Sequence, residues 1–128
     1  MAKEVRERRK YPRASLKYKI NIICEGTVVS GRPKDYIFHA YTENLSEGGI
    51  RVILEKELSK ASIVRLELFI TSKKTAPIVS DGLVIWTKKV NPDGTKPDLF
   101  NTGIQFIGLG EIEQKIIRGV VQHCLQQE

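Results

Sequence analysis

The sequence has little cysteine and little histidine, and this scarcity excludes several kinds of site. Its 128 residues include two cysteines and two histidines. Cys24 and Cys124 are too few for a disulfide framework and too far apart for a metal knuckle, so we expect both to be small buried residues. His39 and His123 have no cluster of metal ligands beside them. The sequence therefore predicts no metal site and no cofactor.

Long apolar runs are also missing. The longest candidate, residues 83–86, is far shorter than the roughly 18 residues that a helix needs to span a bilayer. The basic N-terminus is not followed by the apolar segment of a secretory signal peptide. We therefore expect a cytoplasmic protein without membrane insertion.

Positive charge is concentrated at the N-terminus. The net charge is +6, and residues 1–13, the N-terminal arm, hold six basic residues against two acidic ones. An anionic partner bound by this arm is therefore more natural than one bound by the whole surface, although a solvated run of terminal charge would have the same composition. Apart from Met1, residues 1–10 contain only Val5 as a sizeable apolar residue, so we expect the arm to be flexible in the free protein.

Alternation of apolar and polar residues predicts a mainly β domain. Six segments alternate or form apolar runs between turn signals, and they are 16–24, 36–42, 50–54, 63–71, 78–87 and 99–107. The polar segment 25–35 is predicted to be a connection. Apolar residues at helical spacing after Gly110 predict a C-terminal helix. This order favours a small antiparallel barrel or sandwich covered by the helix.

Two arginines stand four residues apart just before the first predicted strand, in the run Arg9-Lys10-Tyr11-Pro12-Arg13. Pro12 prevents a continuous helix and stiffens the bend between them. Two guanidinium groups on such a bend can converge on one ligand. Arginine suits this task because its planar donors match a phosphate, or the O6 and N7 edge of guanine, in bidentate fashion.

A second motif lies in the segment 44–49, NLSEGG, between the second and third predicted strands. Asn44 and Ser46 have short polar side chains that can bond a ligand, and Gly49 permits a close backbone approach. A turn of this composition also joins strands in many proteins without binding anything. Taken alone, the segment therefore indicates a turn rather than a site.

Taken together, the RxxxR run and the NxSxxG turn resemble the PilZ family. The segments 82–86 and 103–106 and the closing helix extend the resemblance over nearly the whole chain, although the connection after Gly26 is long for the family. The resemblance implies one domain, with an arm over residues 1–13 and a six-stranded antiparallel β-barrel with a C-terminal helix over residues 14–128. It further implies a non-enzymatic receptor that binds cyclic di-GMP and passes the signal to a downstream protein. The composition of the arm adds the expectation that binding orders it.

The resemblance also implies roles for the arginines. Arg9 and Arg13 would hold guanine edges and phosphates. Arg8, immediately before the motif, is a secondary candidate that would stack on a base or help to bind a second ligand. Arg51 follows the turn and is either part of the ligand surface or solvated, since its place on an alternating strand fits both.

The turn residues receive roles by the same resemblance. Asn44 and Ser46 would contact a guanine base, and Gly49, with Gly48 as a secondary candidate, would keep the turn close to it. Trp86 is assigned to the core, because it lies in an apolar run.

Two other classes of function compete with a receptor. A small basic β-barrel can bind nucleic acid when basic patches and aromatic platforms share a surface, but outside the arm the charge is nearly balanced and the strand aromatics lie among apolar residues. An enzyme would need a nucleophile with its base, a metal cluster or paired carboxylates, and no segment of the sequence has them.

Overall fold

The structure is a computed structural model that describes residues 11–29, 32–70 and 76–127, with the backbone alone for residues 26–29 and 32–34. These residues form six strands and one helix. They are β1 (Lys19–Val29), β2 (Arg32–Ser46), β3 (Gly49–Leu54), β4 (Ile63–Phe69), β5 (Ile78–Lys89), β6 (Phe100–Ile107) and α1 (Glu111–Gln126). Arg8 and Arg9 lie outside the described residues.

The strands close into a barrel in the order β1-β2-β3-β6-β5-β4, and every neighbouring pair is antiparallel. The predicted mainly β fold is therefore confirmed, and the barrel replaces the sandwich as its form. A closed barrel leaves each strand with two neighbours, which satisfies the backbone hydrogen-bonding groups that an open sheet edge would expose.

One face of each strand fills the interior of the barrel. In β3, Ile50, Val52 and Leu54 are buried at every second position, as the period of a strand requires. Side chains of this kind stabilise a fold by about 1.5–3 kcal/mol each when they are fully buried. Ile117 and Val121 of α1 join the same core, so the helix is part of the domain rather than an appendage.

Helix α1 packs on the barrel with the face that carries Ile117 and Val121, and some apolar residues of the helix lie outside that face. Ile117 is fully buried, whereas Ile112 is 72% exposed. The two residues lie about 140° apart around a helix, so only one of them can face the barrel. Glu111 and Glu113 occupy the first turn, where negative charge favours the helix dipole. Within the described residues no helix is long and apolar enough to cross a bilayer.

The prediction that residues 25–35 are a connection is wrong. β1 and β2 continue as a long hairpin, and their pairing resumes after a register shift between Cys24 and Thr27. The bulge absorbs Glu25 and Gly26, and the β-branched run 27–29 then favours an extended backbone. The predicted second strand likewise continues through Ser46 instead of ending at Thr42.

Cys24 and Cys124 are half-buried and pack against the core, so their surroundings are less enclosed than expected. Burial nevertheless raises the pKa of the Cys24 thiol. Tyr18 also has a raised pKa, because it is partly buried and lies near Cys124. Both cysteines therefore act mainly as packing residues.

Candidate ligand-binding site

A shallow cavity of about 270 Å³ lies on the outer face of the barrel beside the β2–β3 turn. Its lining residues come from the end of the arm and from four strands, and they are Tyr11, Arg13, Asn44, Ser46, Gly48, Gly49, Ile50, Arg51, Ile85, Trp86, Gly103, Ile104 and Gln105. A second cavity of about 550 Å³ has described lining residues that include none of the site candidates. The first cavity is therefore the candidate site.

One row of residues crosses four strands in this cavity. Asn44 of β2 pairs with Arg51 of β3, and Arg51 pairs in turn with Gly103 of β6. Gly103 then pairs with Trp86 of β5. We call these four residues the site row. Arg51 lines the cavity, and its Nη1 donates a hydrogen bond of 2.7 Å to Oδ1 of Asn101, which fixes the guanidinium group at the row.

A bulge at each end of the site row brings the end residue to the outer face. The β2 register shifts between Thr42 and Asn44, so that Thr42 remains buried while Asn44 lines the cavity. The β5 register shifts between Val84 and Trp86 in the same way. A bulge adds one residue to the strand and so resets which side chains face outward.

Trp86 lies over a glycine on the neighbouring strand. A Cβ atom built on Gly103 would lie 2.2 Å from Trp86 Nε1, so the indole occupies the space that any other side chain at position 103 would fill. The assignment of Trp86 to the core is wrong, because the bulge at Ile85 turns the ring to the cavity. Gly103 inside a strand is the sequence signal for such a close approach.

Ser46 organises the β2–β3 turn. Its Oγ accepts hydrogen bonds from the backbone N–H groups of Gly48 at 3.1 Å and Gly49 at 3.2 Å. These bonds tie the turn to the end of β2, as serine side chains commonly do in tight turns. Ser46 is buried but reaches the cavity, so it combines a turn role with a place in the site.

The two glycines of the turn have different neighbours. A Cβ atom on Gly49 would lie 2.2 Å from the backbone oxygen of Ile104, so this glycine lets β3 approach β6. A Cβ atom on Gly48 would lie 3.1 Å from the ring of Tyr11. Strand packing therefore requires a glycine at position 49. This reason is separate from the predicted role of Gly49 beside the ligand.

The end of the arm is attached to the barrel beside the turn. Ala14 is buried and bridges to Leu45, with backbone N–H to O distances of 3.0 and 2.9 Å in the two directions. This bridge brings Arg13 and Tyr11 to the cavity. The structure thus gathers Arg13, with the predicted turn residues and Arg51, around one cavity. Arg8 and Arg9 lie outside the described residues, and their roles stay predictions.

A family model described as PilZ domain matches residues 7–123 of the chain. The chain belongs to the PilZ domain family. This match includes both predicted motifs within its span. No curated protein sequence matches the chain.

Solved structures of other PilZ proteins share the fold of this PilZ domain. The chain is similar to the PilZ domain with c-di-GMP of YcgR from Escherichia coli, with 16% identity, a TM-score of 0.63 and 94% of both chains covered. It is similar to the inhibitor of motility MotI/DgrA of Bacillus subtilis, with 18% identity, a TM-score of 0.66, and coverage of 94% of this chain and 51% of that chain. The chain is also similar to MrkH from K. pneumonia in complex with c-di-GMP, with 17% identity, a TM-score of 0.65, and coverage of 96% of this chain and 55% of that chain. The chain thus spans about half the length of MotI/DgrA and of MrkH.

Seven of the residues that line the cavity of this PilZ domain were not among the predicted site residues, and three of the seven have side chains that can stack on a ligand or hydrogen-bond to it. These three are Tyr11, Trp86 and Gln105. Tyr11 lies inside the RxxxR run, so its proximity to the arginines was a usable signal. Gln105 follows from strand parity, since it alternates outward beside buried Ile104 and Phe106. Both charged residues among the described lining are arginines, which suits an anionic ligand.

Proposed function

We propose that this PilZ domain is a non-enzymatic cytoplasmic receptor for cyclic di-GMP, and that the dinucleotide lies along the site row. The row carries the proposal, because it sets an indole ring, a guanidinium group and an amide on one outer face. Cyclic di-GMP offers two guanine bases and two phosphates. Trp86 provides a surface on which a base can stack, and Arg13 and Arg51 provide forked donors for phosphates or for the guanine O6 and N7 edge.

The remaining site residues complete the proposal. Arg9 and, as a secondary contact, Arg8 would add guanidinium groups from the arm. Asn44 would bond a guanine edge with its amide. Ser46 would donate its hydroxyl hydrogen to the same base in place of the long bond of 3.5 Å that this hydroxyl donates to Gly49 O, while its Oγ goes on accepting the two backbone N–H groups. Support also comes from the YcgR PilZ domain and MrkH, which were solved with c-di-GMP.

Titration with cyclic di-GMP tests the proposal, and Trp86 offers an optical signal because it is the single tryptophan of the chain. Binding should change the tryptophan fluorescence and release or absorb heat in a calorimeter at the same stoichiometric point. Cyclic GMP and cyclic AMP should bind at least tenfold more weakly, because a mononucleotide offers half the groups and each lost contact costs about 1 kcal/mol or more. Trp86→Phe should remove the fluorescence change while retaining calorimetric binding.

A short single-stranded oligonucleotide separates the receptor from the nucleic-acid alternative. Strong binding to it, with an affinity that falls steeply as salt rises, would favour a nucleic-acid protein. Absence of any heat, fluorescence change or thermal stabilisation with cyclic di-GMP would overturn the receptor proposal.

We further propose that binding orders the arm, residues 1–13, against the barrel, residues 14–128, and that a downstream protein recognises the ordered arm. The basis is the low apolar content of residues 1–10, which gives the arm little to bury without a ligand. Ordering by ligand then requires only that the ligand bind the ordered form more tightly.

Hydrogen exchange measures this switch. Amides of residues 5–10 should exchange fast without cyclic di-GMP and at least several-fold more slowly with it, whereas those of Tyr11 and Arg13, which already lie at the cavity, should change less. The amide of Ala14 serves as an internal reference, because it already donates to Leu45 and should be slow in both states. Equal protection of residues 5–10 in both states would contradict the switch even where binding is established.

A further inference from the structure

The side chain of Glu47 connects the site turn to the C-terminal helix. Its Oε1 accepts hydrogen bonds from Arg118 Nη2 at 2.9 Å and from Gln114 Nε2 at 3.1 Å. The Glu47 side chain is only 9% exposed, whereas that of Arg118 is 45% exposed. The Arg118 hydrogen bond lowers the pKa of Glu47, with Gln114 adding to the effect, so the carboxylate is ionised at neutral pH.

This contact differs from an ordinary surface ion pair. Lys17 and Glu43 also lie 2.8 Å apart, but their side chains are 66% and 24% exposed, and such pairs contribute little. The Glu47 carboxylate is more enclosed than that of Glu43 and accepts two hydrogen bonds from α1, so their loss should have a larger effect than the loss of the exposed pair. If α1 releases Glu47, the carboxylate has to find other hydrogen-bond partners, in water or by a movement of the turn.

The turn that Glu47 holds is the one that forms the site. Glu47 stands between Ser46 and Gly48, both of which line the cavity. On the neighbouring strand, the backbone N–H of Phe106 donates to Gly48 O at 2.9 Å. On the arm side, Tyr11 lies against Gly48. The helix thus supplies the third support of a turn that is otherwise held by β6 and by the arm.

We infer that Glu47, Arg118 and Gln114 form a clamp by which α1 positions the turn for cyclic di-GMP, so that ligand binding and helix docking are coupled. The inference rests on the proposed function, and it makes Glu47 and Arg118 positioning residues rather than ligand contacts. Coupling of this kind is reciprocal: whatever the docked helix adds to ligand affinity, the ligand adds to the stability of the docked helix. The stability of the docked helix α1, including the exposed Ile112 in its first turn, then depends on the ligand.

Four variants test the clamp: Glu47→Gln, Arg118→Gln, the double variant E47Q/R118Q, and the matched control Glu43→Gln. Each single clamp variant should weaken cyclic di-GMP binding in a calorimeter by about threefold to tenfold. The double variant should be no weaker than the worse single variant, because both changes break one contact. Glu43→Gln breaks the exposed ion pair between Lys17 and β2 and should leave affinity within about twofold of the parent value.

Two further measurements distinguish positioning from general loss of stability. Arg118→Lys keeps the charge and should restore affinity to within about threefold of the parent value. In the parent protein the ligand should slow hydrogen exchange within α1, and this slowing should shrink in Arg118→Gln. That variant alters a half-exposed side chain and should keep its fold, which circular dichroism checks.

The outcomes separate the clamp from the proposed function. If the parent protein binds cyclic di-GMP and both single variants bind equally well, the clamp is wrong and the receptor stands. Additive losses in the double variant would also overturn the clamp. If the parent protein does not bind cyclic di-GMP, the proposed function fails and the coupling fails with it. The positioning of the turn by α1 is then tested without ligand. Hydrogen exchange of the Gly48 and Gly49 amides that is the same in Arg118→Gln as in the parent protein would overturn it.

Discussion

Replacing Arg13 with alanine should weaken cyclic di-GMP binding by about tenfold to a hundredfold. Arg13 lines the cavity beside the site row, and a hydrogen bond from a charged group contributes about 1.5–3 kcal/mol. Arg9→Ala should have an effect of the same size by the RxxxR motif. The melting temperature of Arg13→Ala should stay within about 2 °C of the parent value, because its side chain is exposed and outside the core.

Two comparisons make the arginine prediction specific. Arg13→Lys keeps the charge but loses the planar fork, so it should recover only part of the affinity if the contact is bidentate. Arg65→Ala removes an exposed arginine from β4, outside the described lining of the cavity, and should leave affinity unchanged. Parent-like binding by both Arg9→Ala and Arg13→Ala would show that the arm is not the site and that the roles implied by the family are wrong for this chain.

Gly49→Ala should lower the free energy of unfolding by about 3 kcal/mol. The added Cβ would lie 2.2 Å from the backbone oxygen of Ile104, and a backbone atom cannot turn away as a flexible side chain can. β3 and β6 would have to separate at Gly49 and Gln105, where they are paired. Thermal or denaturant unfolding of the ligand-free protein measures the change, so that no effect of the ligand contributes to it.

Gly119→Ala is the matched control for this substitution. A Cβ on Gly119 meets no atom within 4 Å, and the residue lies within α1. Alanine should therefore stabilise the protein by up to about 1 kcal/mol through helix propensity. A Gly49→Ala variant as stable as the parent protein, but defective in ligand binding, would favour the role that the family resemblance gives this glycine over the role in strand packing.

The sequence contained enough to predict the barrel and half of the cavity. Alternation in the segment 50–54 already indicates which residues face inward, because strand parity depends only on the order of residues. The two motifs identified Arg13 and the turn residues that the barrel brings together. Burial of one face of each strand strongly selects one pairing register. The inward-facing residues predicted from apolar alternation therefore match the buried residues wherever a strand has no bulge.

The rest could not be predicted because bulges do not appear in a pattern of apolar residues. One inserted residue at Ile85 moves Trp86 from the expected interior to the cavity. Likewise Glu25 and Gly26 read as the start of a loop, although they are absorbed by a bulge within a longer hairpin. The contact between Glu47 and Arg118 joins residues 71 positions apart, and local spacing carries no information about such a pair.

The site row also sets a length. Its end residues, Asn44 and Trp86, are separated by three interstrand steps, and neighbouring strands lie about 4.8 Å apart, so the row spans about 14 Å. Backbone hydrogen bonds between the strands set that spacing, so it does not depend on which side chains occupy the outer face. A molecule must therefore extend across all four strands to touch both ends, and a ligand half that size has to leave one end in water. Selectivity for a dinucleotide would then depend on how many strands the ligand crosses, with the individual contacts deciding only how tightly it is held.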